Sequence, residues 1–365
     1  MKRKVFSALN IFALSVVFAL SVILPGLSAF FQGSAPIPLE AQLPTSVVTP
    51  STPSSGAETS VPDAARGPAI PPDKGYLVQQ IRDNLYWVSN GIFQTMFLTY
   101  DNGVIVVDAP ESIGKNYLNA IREVTDKPVT YVIYSHSHTD HIGAASTFPN
   151  NATYIAQKET AAILERRKDP RRPIPTVTFS DTYTLNAGDQ TLVLDYRGVN
   201  HEPGNIFIYA PRQKVLMLVD IVYPGWVPFK NLGLADDVPG YIKAHDIALA
   251  YDFDTFIGGH VNRLGTRQDV MVSREFVLDL EAAAAQALQQ VNFSDFAQQI
   301  GYKDVWKLYN AYSNAFTQKC TDMMMPKWKD RLGGADTYLS DDCWEMAESL
   351  TVQFPPVQTP PATEN

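Results

Sequence analysis

Cysteine is nearly missing from this chain of 365 residues: it has two, too few for a cysteine-rich zinc module or a disulfide-dense scaffold. Basic residues are also short, 29 against 38 acids, giving a formal charge of −9 and a pI near 5.2. Nucleic-acid binders advertise a basic face, so the balance argues against that class and against a nucleic-acid partner. After residue 24 there is no long apolar run, and the mean hydropathy of −0.11 excludes a polytopic membrane protein. A Gly-x-Ser-x-Gly nucleophile elbow is absent, as is any internal repeat. What is present, 45% hydrophobic residues, suffices for a substantial core in one large or two smaller domains.

The ends differ from the middle. Lys2, Arg3 and Lys4 precede an uncharged run from Val5 to Leu24. That is the pattern of an export signal, and its length also suits a retained anchor, since a spanning helix needs ~20 residues. Residues 1–30 are therefore read as a signal peptide or N-terminal membrane anchor, with membrane attachment through residues 5–24 in the second case. Either outcome exports the remainder, to a periplasmic, extracellular or outer-face location. Residues 31–74 and 355–365 are rich in Pro, Ser, Thr or Ala and read as a disordered linker and tail. The folded part is then roughly Gly75 to Phe354. Cys320 and Cys343 are read either as a bonded pair, closing a loop worth ~3 kcal/mol in an oxidising compartment, or as two buried thiols.

Leu77–Val88, Ile92–Tyr100 and Val104–Asp108 read as strands, Glu111–Val124 as a helix and Val129–Ser135 as a buried strand. Gln157–Arg166 is helical in pattern. Strand signals return at Thr182–Leu185, Thr191–Tyr196, Asn205–Tyr209 and Val215–Val219. A helix follows near Tyr241–Ala250, then a strand at Thr255–Ile257 and a long helix from Arg267 to about Gln290. Meanders followed by βα units, twice over, predict an α/β fold with helices outside two sheets. Phe293–Leu350 reads as a helical C-terminal elaboration.

The chemistry lies in the histidines. Three of only six fall in Ser135-His136-Ser137-His138-Thr139-Asp140-His141-Ile142-Gly143, directly after an apolar strand. In extended chain, residues two apart project to one side, so His136 and His138 can grip one ion. The following turn brings Asp140 and His141 round from the other side. Imidazole and carboxylate are preferred ligands of zinc and similar metals.

This pattern resembles the first motif, His-x-His-x-Asp-His, of the metallo-β-lactamase superfamily. The resemblance extends over residues 75–290, read as the superfamily's domain, with 291–354 as the helical extension. Asp83–Val88 looks like the family's opening strand, and Val104–Asp108 like its next, ending in a structural aspartate. Asn200-His201-Glu202-Pro203-Gly204-Asn205 resembles the Gly-His-Thr-Pro-Gly segment, Asp220 the bridging aspartate, and Gly258-Gly259-His260 the late Gly-His motif. The fold implied is a four-layer αββα sandwich. Two departures, Asn200 for Gly and Glu202 for Thr, remove no ligand. Asp220, where lactamases carry Cys or Ser, points to the glyoxalase II-like and lactonase-like branches.

By resemblance, His136, His138 and His201 hold one metal, Asp140, His141 and His260 a second, and Asp220 bridges them. The implied cofactors are two divalent ions, zinc by default, with iron or manganese accepted by the same ligands. The implied reaction is attack by a metal-bridging hydroxide on an ester, thioester, lactone or amide carbonyl of a small molecule, with Asp140 orienting the nucleophile. Tyr223 occupies the position from which lactonase-like members address the substrate carbonyl, and Trp226 and Phe229 are read with it as a pocket wall or as packing. Two alternatives stay open: a mononuclear-iron, persulfide dioxygenase-like enzyme and a non-catalytic, metal-stabilised binding protein. His245 is read as a surface or capping residue, and Arg166, Arg167, Lys168, Arg171 and Arg172 as a solvated basic loop or an anion-binding rim. Oligomeric state is not readable.

Overall fold

The computed structural model describes residues 61–353, so the N-terminal apolar run and the C-terminal tail lie outside the described residues. Val104-Ile105-Val106-Val107 shows in miniature why the chain layers as it does. In a strand, successive side chains face opposite ways, so an unbroken apolar run must be buried on both faces. Val104 and Val106 pack outward against a helix, while Ile105 and Val107 pack inward against a second sheet.

The first sheet has the order β1-β2-β3-β4-β5-β6-β7. Its strands are β1 (Leu77–Arg82), β2 (Leu85–Ser89), β3 (Gln94–Tyr100), β4 (Gly103–Val107), β5 (Val129–Ile133), β6 (Thr153–Gln157) and β7 (Val177–Phe179). β1–β4 form an antiparallel meander, and β4–β7 run parallel, crossed by α1 (Asn116–Val124) and α3 (Lys158–Arg167). A short helix, α2 (Thr139–Ile142), follows β5. The second sheet comprises β8 (Thr182–Ala187), β9 (Gln190–Asp195), β10 (Phe207–Ala210), β11 (Val215–Met217) and β12 (Thr255–Ile257), in the order β12-β11-β10-β9-β8. Here too a meander ends in a parallel pair, β11 with β12. The crossover between them carries α4 (Lys230–Leu234) and α5 (Val238–Leu249).

Three apolar layers separate four layers of structure. Leu85, Met96, Leu98 and Ile133 meet Leu192, Leu194, Val215 and Met217 between the sheets. Tyr117, Ile121 and Leu164 cover the outer face of the first sheet. The second sheet is covered by α5, α6 (Arg267–Gln290), α8 (Val305–Trp328) and α9 (Ala335–Glu348), with α7 (Phe293–Ile300) linking α6 to α8. The expected αββα sandwich with a C-terminal helical region is therefore observed. Cys320 and Cys343 are bonded, tying α8 to α9 inside that same core with a Cα–Cα distance of 5.9 Å. Among the described residues no helix is long and apolar enough to cross a membrane.

Three local features depart from the sequence reading. Leu77–Val88 is not one strand but a hairpin, because Asp83 and Asn84 adopt positive φ (42° and 64°) and form the two-residue turn. β6 and β7 had no clear signal, being short and half made of small or polar residues. The end of the supposed linker, residues 61–74, is a placed strap. Its carbonyls at Ala65 and Pro68 accept hydrogen bonds from Trp226 Nε1 (2.9 Å) and Asn262 Nδ2. Composition cannot show this, since these two contacts are made by backbone carbonyls of the strap.

A Cβ at Gly67 would lie 1.3 Å from the Asn262 carbonyl oxygen. Gly67→Ala is thus expected to lift the strap, read as faster limited proteolysis within 61–74 with the domain core intact. Replacing both Cys320 and Cys343 by Ser should cost about 3 kcal/mol of unfolding free energy in a denaturant titration.

Candidate metal centre

Four loops leave the sheets at a common edge and meet. His136 and His138 follow β5, His201 precedes β10, Asp220 follows β11 and His260 follows β12. Cross-links hold the loops in register: Ile206 N donates to the Ser135 carbonyl (3.1 Å), and Asn205 Nδ2 donates both to Val219 O (3.0 Å) and to Asn200 Oδ1 (2.9 Å). Gly259 is required by space and by its φ of +86°: a Cβ there would meet Val219 Cγ1 at 2.6 Å and His141 Cε1 at 3.1 Å.

The seven residues proposed as ligands come together in two groups that share a carboxylate. His136, His138, His201 and Asp220 form the first, and Asp140, His141 and His260 the second. Asp220 Oδ2 lies 3.4 Å from His136 Nε2, 3.2 Å from His201 Nε2 and 3.1 Å from His141 Nε2. Its Oδ1 lies 3.0 Å from His260 Nε2. His138 Nδ1 faces His201 Nε2 at 3.0 Å, and His141 and His260 face each other through Nε2 at 3.0 Å. Asp140 Oδ2 completes the second group, 3.5 Å from His141 and 3.6 Å from His260.

This arrangement fits metal ions. A tetrahedral site with bonds of ~2.0 Å sets its ligand atoms ~3.3 Å apart; the contacts given above run from 3.0 to 3.6 Å, and all ligand atoms of a group lie within 4.8 Å of one another. His136 Nε2 is buried without a hydrogen-bond partner, as a ligand atom should be. Burial drives His136 and His201 toward the neutral imidazole that metals require, His201 to about 4. Burial also opposes charge on Asp220, but His141, His260 and His201 override it and hold the carboxyl well below its ordinary value. Burial pulls His141 down, yet the Asp220 carboxylate lifts it to about 9. The cluster meets solvent at Asp140, 45% exposed, and at His138, 37% exposed, while His136 and His141 are fully covered.

An outer ring supports these groups. Ser135 Oγ is 2.9 Å from His136 Nδ1, and the buried Asp108 accepts from Ser135 N (2.7 Å). Burial raises Asp108 to about 7, against the charge of His141 and the Ser135 amide. Glu202, read only as a harmless departure, is buried against Ser137 and His138. The basic loop divides: Arg171 pairs with Glu111 and Asp169, while Arg172 reaches in and donates to the Ser137 carbonyl at 2.6 Å. Arg172 is thus a brace for the ligand turn, neither solvated nor an anion rim. Gln94 Nε2 donates to the carbonyls of His260 and Arg263 (3.1 Å for the second), fixing the last ligand loop. Sequence reasoning missed Glu202, Arg172 and Gln94 because each acts across a long separation in the chain.

The aromatic loop after Asp220 also divides. The rings of Tyr223 and Phe229 lie 5.7 and 5.4 Å from that of His260, and Phe93, unmarked in the sequence, lies 4.6 Å away. Trp226 turns elsewhere and packs on Gly333 and the strap. The Tyr223 hydroxyl is buried without a partner, and burial with the nearby Asp220 keeps it protonated. Behind it runs α4, whose residues Asn231, Leu232 and Gly233 are left-handed. That turn is pinned by Asp342 of α9, whose Oδ1 accepts from Leu232 N at 2.8 Å. His245 is not at the surface: it is buried, with Nε2 2.9 Å from Ser273 Oγ, joining α5 to α6 far from a ligand role.

The sequence profile described as Metallo-beta-lactamase superfamily matches residues 93–260. The chain is 30% identical over 276 residues to the 2,4-dinitroanisole O-demethylase subunit alpha of Nocardioides sp. (strain JS1661), covering 68% of this chain and 80% of that protein. It is 28% identical over 167 residues to the metallo-beta-lactamase type 2 of Elizabethkingia meningoseptica, 43% of this chain and 65% of that one. The stereoselective inverting sec-alkylsulfatase Pisa1 from Pseudomonas sp. has a similar fold, with a TM-score of 0.55 at 16% identity, over 75% of this chain and 50% of that chain.

Burial holds the Asp342 carboxyl well above its ordinary value, the Leu232 amide opposing only in part, and its Oδ2 has no partner. A carboxyl raised in the folded state costs stability as pH climbs past its unfolded value of ~3.9. Asp342→Asn keeps an oxygen for Leu232 N and removes that cost. Its melting midpoint should exceed wild type by a few degrees at pH 7, the difference vanishing near pH 4.

Proposed function

The chain belongs to the metallo-beta-lactamase superfamily and is a metal-dependent hydrolase; on that premise we propose that it holds two divalent ions, zinc by default, and cleaves an ester, thioester, lactone or amide bond of a small molecule. The observation that carries the reading is Asp220, whose carboxylate reaches both ligand groups at once: Oδ2 faces His136, His201 and His141, and Oδ1 faces His260. His136, His138 and His201 would hold one ion, Asp140, His141 and His260 the other, with Asp220 between them. Divalent ions in these positions supply Lewis-acid polarisation of the carbonyl and acidify water.

The chain's own residues do the rest. Asp140, on the open side, accepts a hydrogen bond from the attacking water and aims it. Tyr223 keeps its phenolic proton and offers it to the oxygen on which charge develops. Phe93 and Phe229 give the acyl group an apolar surface beside His260. Export of the enzyme is part of the proposal. It is supported by the basic N-terminus followed by the apolar run Val5–Leu24, and by the bonded Cys320–Cys343 pair, which suits an oxidising compartment.

A second reading has its own support. The relative that aligns with 68% of this chain is named for O-demethylation of 2,4-dinitroanisole, so an activated aryl ether belongs among the candidate substrates.

Elemental analysis should find two divalent ions per chain. A panel of lactones, thioesters, nitrocefin, alkyl sulfates and 2,4-dinitroanisole should reveal turnover that chelation abolishes and zinc restores. Asp140→Ala should lower that turnover by ~10²–10⁴-fold, the range for a lost acid–base group, with the melting profile retained. Turnover of the ether alone would replace the carbonyl reading with the second, and one iron per chain with dioxygen consumption would overturn both.

A further inference from the structure

His138 differs from the other ligands of its group in the nitrogen it turns inward. His136 and His201 present Nε2 to Asp220, whereas His138 presents Nδ1, 3.0 Å from His201 Nε2. For Nδ1 to offer a lone pair, the proton must reside on Nε2, and that atom lies 3.3 Å from Glu202 Oε2. Glu202 is buried, 6% exposed, and the hydrogen bonds of its carboxylate go to Ser137. Oε1 accepts from Ser137 N, and Oε2 accepts from Ser137 Oγ at 3.1 Å. Arg172 holds the next peptide unit through the Ser137 carbonyl.

We propose that Glu202 is a positioning residue for the first metal site, fixing His138 as the Nε2–H tautomer so that Nδ1 faces the ion, and clamping His201's loop to the His136–His138 segment. The proposal rests on the metal-centre reading above. It assigns a task to the position where the resemblance expects threonine, whose side chain is too short to span to His138. A carboxylate that accepts from a ligand imidazole orients the ring and raises its basicity, and loss of such a partner weakens metal affinity by ~10–100-fold.

The test is zinc affinity of the full-length chain, stripped of metal and titrated against a competing chelator, for wild type, Glu202→Ala and Glu202→Gln. Melting of the metal-free forms is recorded alongside. Glutamine can keep both contacts to Ser137 by turning its amide nitrogen toward the hydroxyl, but then sets N–H against N–H at His138. Both variants are expected to bind zinc ~10–100-fold more weakly at the tighter site, and the visible spectrum of the cobalt-substituted protein should shift. If Glu202→Gln binds zinc as tightly as wild type, Glu202 is only a clamp on Ser137 and the proposal fails. Unchanged affinity in Glu202→Ala also overturns it. Wild-type protein that binds no zinc would overturn the metal-centre reading itself, an outcome distinct from either.

Discussion

A buried carboxylate surrounded by imidazoles is the constraint around which this molecule is organised. Asp220 is almost fully removed from water, and four ring nitrogens approach it within 3.4 Å. A buried anion needs compensating charge, and lone pairs aimed at one another at 3.0 Å repel unless a proton or a cation lies between. Divalent ions satisfy all of these groups together, whereas protons satisfy them only in part. The fold must therefore hold its ligands in a geometry that is costly by itself and becomes favourable on metal binding.

Part of that cost is visible in the backbone. Asp108, Asp220 and Val261 all have positive φ, at 53°, 64° and 61°. Aspartate tolerates this region, while a β-branched valine does so only under compulsion. The compulsion comes from neighbours: Gln94 grips the carbonyls on both sides of Val261–Asn262, and Asn262 is bonded to Ser89 Oγ (2.8 Å) and to the strap. Trp87 Nε1 in turn anchors the Gln94 side chain at 2.8 Å. Strain of this kind persists only where the surroundings over-determine it, and here it lies in the loop that carries His260 to the second ligand group.

How much of this the sequence disclosed depends on distance along the chain. The His136–His141 turn was legible because its ligand types are crowded into one short segment after an apolar strand. His201, Asp220 and His260 are single residues, and only the ordered set of family motifs marked them. The layered fold was legible from period-two strands and the long Arg267–Gln290 helix, whose bounds match α6. Gln94 and His260, Arg172 and Ser137, and Glu202 and His138 are contacts made by folding, and no local pattern encodes them. The Asp83–Asn84 turn is different: its residue types are turn formers, and the apolar alternation around them masked the break.

The same distinction separates the ligand groups from the walls that border them. The ligands lie on loops fixed by both sheets, and the first group is braced by Ser135, Glu202 and Arg172, with His138 reaching the surface. The second group faces outward through Asp140 and is bordered by Phe93, Phe229 and Tyr223. Two of the border residues, Tyr223 and Phe229, are backed by segments remote from the ligand motifs. Tyr223 rests on the left-handed α4 turn, which Asp342 in α9 pins, and the loop bearing Phe229 carries Trp226 between the strap and Gly333. The surface beside Asp140 is therefore backed by the strap and by the C-terminal helices. The ligands are held by the sandwich, and the walls beside them by the segments at its two ends.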